Sequence, residues 1–402
     1  MSRPHRQPPP ADQQTVRRHN LGLIARAVSS APGSRTRLAQ RTGLTKATVS
    51  SLVDSLLLQG ILVEGDAAPA RVGRPARPVG LNPEGPAALG LEANVDYLAA
   101  GLLDLTGAAR AHRRVEVDNR RRPPEAILDD LAALCRELAP AGRPLLGIAL
   151  AVPGVVGRDG RPVRVPNLPE LAGQPLAAQL ADRLPARLRL LDPVVLLDNE
   201  ANLGALSWLR RAGGDRDFVY VSGEIGIGAG LVVDGALFRG AGGFAGELGH
   251  VVVERDGPPC RCGGRGCLEQ YAGQDVLLAA SGQRDLVALA AAGAAGEPAA
   301  LAALAAAGSA LGVGLASLLN VLDLPLVVLG SGYAQLYELI VPALRAELDL
   351  RVLSGPGVRL ARSTLGTDAA VLGAAGAVLE RALGDPGALL DPADPGPPAT
   401  AP

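Results

Sequence analysis

The chain has 402 residues, which is long enough for two or three domains with a large buried core. Apolar residues make up 48% of it and aromatic residues only 2%, so the core must consist of leucine, valine and alanine. The net charge of −1 hides a division, because residues 1–82 hold twelve Arg and Lys against four Asp and Glu. This basic segment, joined to an acidic remainder, predicts a polyanionic partner for residues 1–82 only.

The first 14 residues are polar and rich in proline, which predicts a disordered arm. No apolar run approaches the ~20 residues that a membrane span needs, and the start of the chain does not resemble a secretory leader. The four cysteines are too few for a disulfide scaffold. We therefore expect a cytoplasmic protein with reduced thiols that does not contact a membrane.

Residues 15–82 have the pattern of a winged helix-turn-helix. Apolar residues recur at helical spacing in a first helix, Ser34 can cap a short second helix, and Thr45 can cap a third after a glycine turn. Two short strands, Ile61–Glu64 and Pro78–Leu81, then flank an arginine-rich loop that is typical of a wing. The alternative is a plain three-helix bundle, which the wing disfavours.

Small polar side chains on the third helix suit close approach to base edges, and extended arginines in the wing suit a minor groove. The candidate DNA-binding residues are Thr45, Lys46, Ala47, Thr48, Ser50, Ser51, Arg71, Arg74 and Arg77.

Further along, four candidate metal ligands follow the spacing H-x9-C-x-C-x4-C: His250, Cys260, Cys262 and Cys267. Three thiolates and an imidazole make a closed tetrahedral set for zinc, without an open position for a substrate water. The alternatives are a disulfide or unconnected core thiols, and a Cys-x-Cys pair is too tight to bridge easily. We expect one structural Zn²⁺ per chain.

The motifs around these ligands, GELGH at 246–250 and CRCGGRGCLE at 260–269, resemble the signature of the ROK family of repressors, open reading frames and sugar kinases. The resemblance covers most of residues 88–384. The preceding DNA-binding module is typical of the repressor branch, and the chain most resembles xylose-repressor-like regulators, which indicates a class and not the sugar.

This resemblance implies an α/β fold: a two-lobed, actin-like (ribonuclease-H-like) domain with a zinc knuckle and a sugar cleft between the lobes. It assigns sugar contacts to Asn167, Asn199, Glu200, Glu247, His250 and Glu269.

Two departures from the family's kinases argue against phosphoryl transfer. Residues 92–97, Glu-Ala-Asn-Val-Asp-Tyr, lack the glycines of the kinase phosphate loop. Glu200 stands where the kinases have an aspartate base, and displacing a catalytic group by ~1 Å can cost about a hundredfold in rate. We therefore expect no enzyme and no catalytic residue.

The prediction is a sugar-responsive transcriptional regulator, a repressor released from its operator by a carbohydrate. The main alternative is an ATP-dependent hexose kinase with a fused DNA-binding domain, and a weaker one is an adaptor whose body binds another protein.

The expected organisation is a disordered arm over 1–14, a winged helix-turn-helix over 15–82, a ROK sugar-binding and dimerisation domain over 88–384, and a disordered tail over 385–402. The expected partners are a double-stranded DNA operator, a small carbohydrate, and further copies of the chain. A homodimer or higher homo-oligomer is expected because paired recognition helices about 34 Å apart give such modules their specificity.

Overall fold

The structure is a computed structural model that describes residues 13–66, 77–185, 188–211, 214–354 and 357–390. It begins with a head of three helices and a two-stranded antiparallel sheet. These elements are α1 (Gln13–Ser30), α2 (Arg35–Thr42), α3 (Lys46–Leu58), β1 (Leu62–Glu64) and β2 (Val79–Leu81). The order agrees with the predicted helix-turn-helix and wing strands, and α1 starts inside the segment predicted as an arm.

The caps of the head helices are the predicted ones. The side chain of Ser34 accepts a hydrogen bond from the Arg37 amide at 3.3 Å, and that of Thr45 accepts one from the Thr48 amide at 3.2 Å. Each cap satisfies an amide that the first helical turn leaves without a partner. The wing arginines Arg71 and Arg74 lie outside the described residues.

The first lobe of the body is built on a five-stranded sheet of order β5-β4-β3-β6-β9. Strands β3 to β5 form an antiparallel meander, and β6 and β9 add parallel to β3. The elements of this lobe are β3 (Ala87–Ala93), β4 (Tyr97–Leu103), β5 (Ala109–Glu116), α4 (Pro124–Leu138), β6 (Leu145–Val152), β7 (Val155–Val156), β8 (Pro162–Arg164), α5 (Leu176–Ala181) and β9 (Val195–Asn199).

The second lobe repeats this topology, with a sheet of order β12-β11-β10-β13-β14 in which β13 and β14 run parallel to β10. Its strands are β10 (Phe218–Gly223), β11 (Ile227–Val233), β12 (Ala236–Leu237), β13 (Leu326–Gly330) and β14 (Arg359–Arg362). The two sheets have the same strand order, which confirms the predicted actin-like, ribonuclease-H-like body.

The helices of the second lobe are α7 (Glu269–Ala272), α8 (Gln274–Ser281), α9 (Leu286–Ala294), α10 (Pro298–Leu322), α11 (Ser331–Gln335) and α12 (Tyr337–Arg351). Contrary to the expectation that no apolar run approaches this size, α10 among the described helices has the length and composition of a membrane span, but most of its apolar stretch is buried within the fold. Burial of that kind is typical of a core helix.

Two helices cross between the lobes. Helix α6 (Glu200–Arg211) follows the last strand of the first lobe and packs on β10 and β11, while α13 (Ala369–Gly384) follows the last strand of the second lobe and packs on β3 and β6. The two helices also pack on each other, so closely that a Cβ at Gly373 would lie 1.9 Å from the carbonyl oxygen of Leu203. Glycine is therefore required at this crossing.

The head lies against the C-terminal end of the body. Helix α1 packs on α13 and on a short helix, α14 (Pro386–Leu390), which falls within the segment predicted as a disordered tail. Arg18 forms an ion pair with Asp385, with Nη2 and Oδ2 2.5 Å apart, and Arg26 Nη1 donates to the Gly384 carbonyl at 3.1 Å. The head and the body thus share an interface.

Candidate functional site: a cleft between the lobes beside a metal-binding loop

The side chains predicted to bind a sugar all line one cleft between the two lobes. The cleft encloses about 590 Å³, part of it open to solvent. The first lobe contributes Asn167, Asn199 and Glu200, and the second contributes Glu247, His250 and Glu269. The structure therefore brings together residues that lie up to about a hundred positions apart in the sequence.

Asn199 ends β9 and organises the start of α6. Its Oδ1 accepts hydrogen bonds from the amides of Ala201 and Asn202 at 2.8 and 3.1 Å. Its Nδ2 donates to the Gly154 carbonyl at 2.9 Å and to Glu200 Oε2 at 2.8 Å. In this arrangement Asn199 caps the helix and orients Glu200, and its own amide is already engaged on both sides.

The Glu200 carboxyl lies among other acidic groups. Burial raises its pKa well above the usual range, and the neighbouring Glu224 and Glu92 raise it further. While protonated, such a carboxyl can donate a hydrogen bond to a sugar oxygen.

The opposite wall presents two carboxylates and an imidazole. Glu247 and His250 flank a single helical turn, with Glu247 Oε2 3.9 Å from His250 Nε2. Glu269 begins α7, and its Oε2 accepts a hydrogen bond from the Ile227 amide at 3.3 Å. These oxygens are acceptors that can hold the hydroxyl groups of a polyol.

The predicted metal ligands lie close together, with one donor atom from each of the four residues within 4.8 Å of every other. The sulfurs of Cys262 and Cys267 are 3.7 Å apart, and the sulfur of Cys260 is 3.8 Å from His250 Nδ1. Two sulfurs on a tetrahedral zinc with Zn–S bonds of about 2.3 Å lie about 3.8 Å from each other. The four residues therefore fit a metal ion.

His250 joins the metal site to the cleft. Its Nδ1 faces the thiols, and its Nε2 faces Glu247 on the cleft wall. An imidazole that ligates a metal through one nitrogen usually pairs the other with a carboxylate, which fixes the ring orientation.

Residues 92–97, the segment whose position resembles the phosphate loop of the family's kinases, form a side-chain network with Glu224 of the second lobe. Tyr97 Oη donates to Glu92 Oε1 at 2.6 Å and lies 3.0 Å from Glu224 Oε2. Asn94 Nδ2 donates to the same Glu224 oxygen at 2.5 Å. A phenol has one proton to give, so one of the two carboxyl groups that contact it must itself be protonated. Burial raises the pKa of Glu92 to about 8, and the charge of Glu224 adds to the rise.

Several contacts across the cleft have no counterpart in the sequence prediction. Arg239 of the second lobe forms a two-pronged ion pair with Asp198 of the first, with Nη2 and Oδ2 2.7 Å and Nη1 and Oδ1 2.8 Å apart. Arg261, between two of the metal-binding cysteines, donates to Asn167 Oδ1 at 3.2 Å. In the sequence, the position of Arg261 between two candidate metal ligands was a sign that it lies near the cleft. Nothing in the sequence near Arg239 indicates its partner.

In the head, Thr45, Lys46, Ala47 and Ser51 are exposed at the start of α3, while Thr48 and Ser50 are half-buried. The Ser50 hydroxyl accepts a hydrogen bond from Arg35 at 3.3 Å, so it also serves the packing of the head. Arg77 is exposed at the base of the wing, with its Nη1 3.8 Å from Glu64 Oε2.

The fold defines the class of protein. It has a winged helix-turn-helix head in front of a two-lobed, actin-like body, with a polar cleft between the lobes. Residues 88–381 match the ROK family, and the chain belongs to that family. The chain is similar to the xylose repressor of Bacillus subtilis (strain 168), with 30% identity over 389 residues that cover 93% of this chain and 98% of the repressor. A match to 93% of the chain must include most of the head.

Kinases of the family match a smaller part of the chain. The kanosamine kinase of Amycolatopsis mediterranei (strain S699) is 34% identical over 224 residues, which cover 54% of this chain and 72% of the kinase. Among solved structures, a ROK family transcriptional regulator, a homologue of the E. coli MLC protein, superposes with a TM-score of 0.74 at 23% identity over 93% of this chain and 98% of its own. A glucokinase from Streptomyces griseus reaches 0.64 at 24% identity over 72% and 98%.

Proposed function

We propose that this protein is a sugar-responsive DNA-binding repressor that leaves its operator when a carbohydrate occupies the cleft. One observation carries the proposal: the cleft brings together candidate hydroxyl partners from both lobes beside a network of Glu92, Tyr97 and Glu224. We infer that this network stands in place of the phosphate-binding loop of the family's kinases. The similarity to xylose repressors over nearly the whole chain supports it.

In the proposed complex, Glu247 and Glu269 accept hydrogen bonds from sugar hydroxyls, and Asn167 donates one through Nδ2. Glu200 completes the opposite wall, held by Asn199. Because these groups come from both lobes, a bound sugar favours the arrangement in which both walls reach it. A ligand shifts such an equilibrium only through its different affinity for the two arrangements, and a coupling of about 1–3 kcal/mol is usual.

The metal of the knuckle is proposed to be Zn²⁺, one per chain, held by His250, Cys260, Cys262 and Cys267. When bound, zinc supplies a rigid cross-link that keeps the loop and the imidazole in place. Elemental analysis should find about one zinc per chain, and Cys262→Ser should lose both the metal and the sugar response. Cys135→Ala removes a buried thiol of α4 and should keep both. A wild-type protein prepared without chelator that contains no zinc contradicts the assignment.

The proposed DNA contact is the exposed start of α3 together with the wing, in a homodimer or higher homo-oligomer that pairs two heads on one operator. DNA as a partner also implies a cytoplasmic location. Lys46→Ala should weaken retardation of a duplex that the full chain selects from random sequences, and it should lower the salt dependence of binding. Arg284→Ala removes an exposed arginine of the second lobe and serves as the matched control. Equal weakening by both variants would place the DNA contact elsewhere.

The test of sugar sensing uses D-xylose, D-glucose and N-acetyl-D-glucosamine, the sugars that appear in the names of the repressors and kinases similar to this chain. At least one of these or another free sugar should raise the melting temperature, because a ligand of the native state stabilises it, and should release the selected duplex. Release that requires ATP, or no response to any sugar, would contradict the proposal.

A further inference from the structure

The loop that carries Cys260 and Cys262 touches the first lobe at two points. Arg261 of this loop donates through Nη1 to Asn167 Oδ1 at 3.2 Å. In the reverse direction, Arg164 at the end of β8 donates through Nη2 to the carbonyl oxygen of Cys262 at 2.6 Å. Since Arg164 and Asn167 belong to one short segment, the two contacts join that segment to the knuckle.

The first contact decides which way the Asn167 amide faces. A guanidinium has donors only, so the amide must turn its oxygen toward Arg261 and its nitrogen away from it. The nitrogen then lies 3.5 Å from the point where a Cβ on Gly226 would stand, and Glu269 Oε2 lies 2.5 Å from the same point. A donor from the first lobe and an acceptor from the second thus both lie beside Gly226 on the lining of the cleft.

We propose that Arg261 is a positioning residue of the sugar site: it holds the Asn167 amide with Nδ2 toward the cleft, so that one hydroxyl can accept from Asn167 and donate to Glu269. This inference rests on the proposed function of sugar binding. It also gives the knuckle a second role, because the cysteines on both sides of Arg261 set the position of its guanidinium, and Arg164 ties the same loop to the first lobe.

The test compares Arg261→Met, which removes every donor while keeping an unbranched side chain, with Arg261→Lys, which keeps a donor. Arg265→Met is the matched control on the same loop, where the side chain is exposed. Calorimetry with whichever of the three free sugars binds the wild type should show about fivefold weaker binding for Arg261→Met, the effect of losing one hydrogen bond. Arg261→Lys and Arg265→Met should stay within about twofold of the wild type.

A double-mutant cycle separates positioning from a general structural effect. In an Asn167→Ala background, Arg261→Met should weaken binding no further, since its effect passes through the missing amide. Zinc content should stay the same in all of these variants. Wild-type affinity in Arg261→Met, or an equal loss in the Asn167→Ala background, overturns the inference.

A measurement without sugar keeps this inference distinct from the proposed function. In protein labelled with ¹⁵N at asparagine, the side-chain amide resonances of Asn167 should shift in Arg261→Met and stay in place in Arg265→Met. If the wild type binds no sugar, the proposed function fails while the resonances still decide whether Arg261 holds the amide. If sugar binds and the resonances do not move, the positioning role fails alone.

Discussion

At the scale of single residues, the acidic network around Tyr97 joins the two lobes beside the cleft. Glu92 is only 1% exposed and shares the Tyr97 hydroxyl with Glu224, a residue of the other lobe. The guanidinium of Arg114 lies 3.4 Å above the Tyr97 ring, which places a cation near the acidic groups without entering the cleft. A phosphate brought to this place would meet the carboxyl groups of Glu92 and Glu224.

The same network predicts how stability depends on pH. The pKa of Glu92 rises from its ordinary value of 4.5 to about 8, chiefly through burial. The folded state therefore keeps a proton that the unfolded state releases, and the stability that this provides is complete below about pH 4.5 and lost as the pH rises through about 8. Glu92→Gln keeps the shape without the titration, so it should flatten this decline by on the order of 1 kcal/mol per pH unit.

Denaturant unfolding at fixed pH values from 5 to 8.5 measures this effect. Glu170→Gln, a change at an exposed glutamate of the first lobe, should leave the slope of the wild type in place. Parallel pH profiles for the wild type and Glu92→Gln would show that Glu92 is already ionised in the folded protein.

At the scale of elements, the sequence predicted what depends on local pattern. The caps Ser34 and Thr45 act as expected, and the head has the predicted order of three helices and two short strands. Helix α6 starts at Glu200, directly after β9, because Asn199 caps it from the end of the strand. Capping by the last residue of a strand was not recognised in the sequence.

Contacts that join the lobes could not be predicted from local pattern. Arg261 and Asn167 are 94 positions apart, and Tyr97 and Glu224 are 127 apart. Periodicity and caps describe neighbours in sequence, whereas these pairs depend on how two separately built sheets come together. The motif resemblance predicted the cleft residues, whereas the contact of Arg261 with Asn167 became visible only in the structure.

The junction of α1 with the end of α13 predicts how the cleft influences the head. Helix α13 packs on α6, whose first residue is Glu200 in the cleft, and α13 ends beside Arg18 and Asp385. Asp385→Asn removes the charge of this ion pair. Since both side chains are partly exposed, the loss of global stability should be at most about 1 kcal/mol. Amide exchange in α1 should nevertheless become faster, and the ratio of DNA affinities without and with sugar should fall.

Asp192→Asn is the control for this prediction, because it breaks an ion pair of the same helix α13, with Arg381, that does not involve the head; Arg381 Nε and Asp192 Oδ2 are 2.6 Å apart. It should leave exchange in α1 and the response to sugar unchanged. Equal behaviour of the two variants would show that the α1 junction does not transmit the signal.

At the scale of the whole molecule, the proposed function divides the cleft between the lobes into two parts. Both lobes contribute polar side chains to one part, and an interlobe network of Asn94, Tyr97 and Glu224 fills the other. Phosphoryl transfer needs the nucleotide phosphates and a base to be positioned together. Sugar binding needs neither, so a chain with this cleft can keep a sugar response while it loses turnover.

This division predicts that sugar binding does not depend on ATP and that sugar does not stimulate ATP hydrolysis. Glu247→Ala removes an acceptor of the sugar wall and should abolish sugar-induced release of DNA while leaving operator affinity without sugar unchanged. Glu254 is an exposed glutamate between His250 and Cys260, and Glu254→Ala should behave like the wild type. The measurements are a coupled assay of ATP turnover and DNA retardation with and without sugar. Robust sugar phosphorylation that Glu200→Ala abolishes would restore the kinase hypothesis, because only a site with positioned phosphates and a working base can produce it.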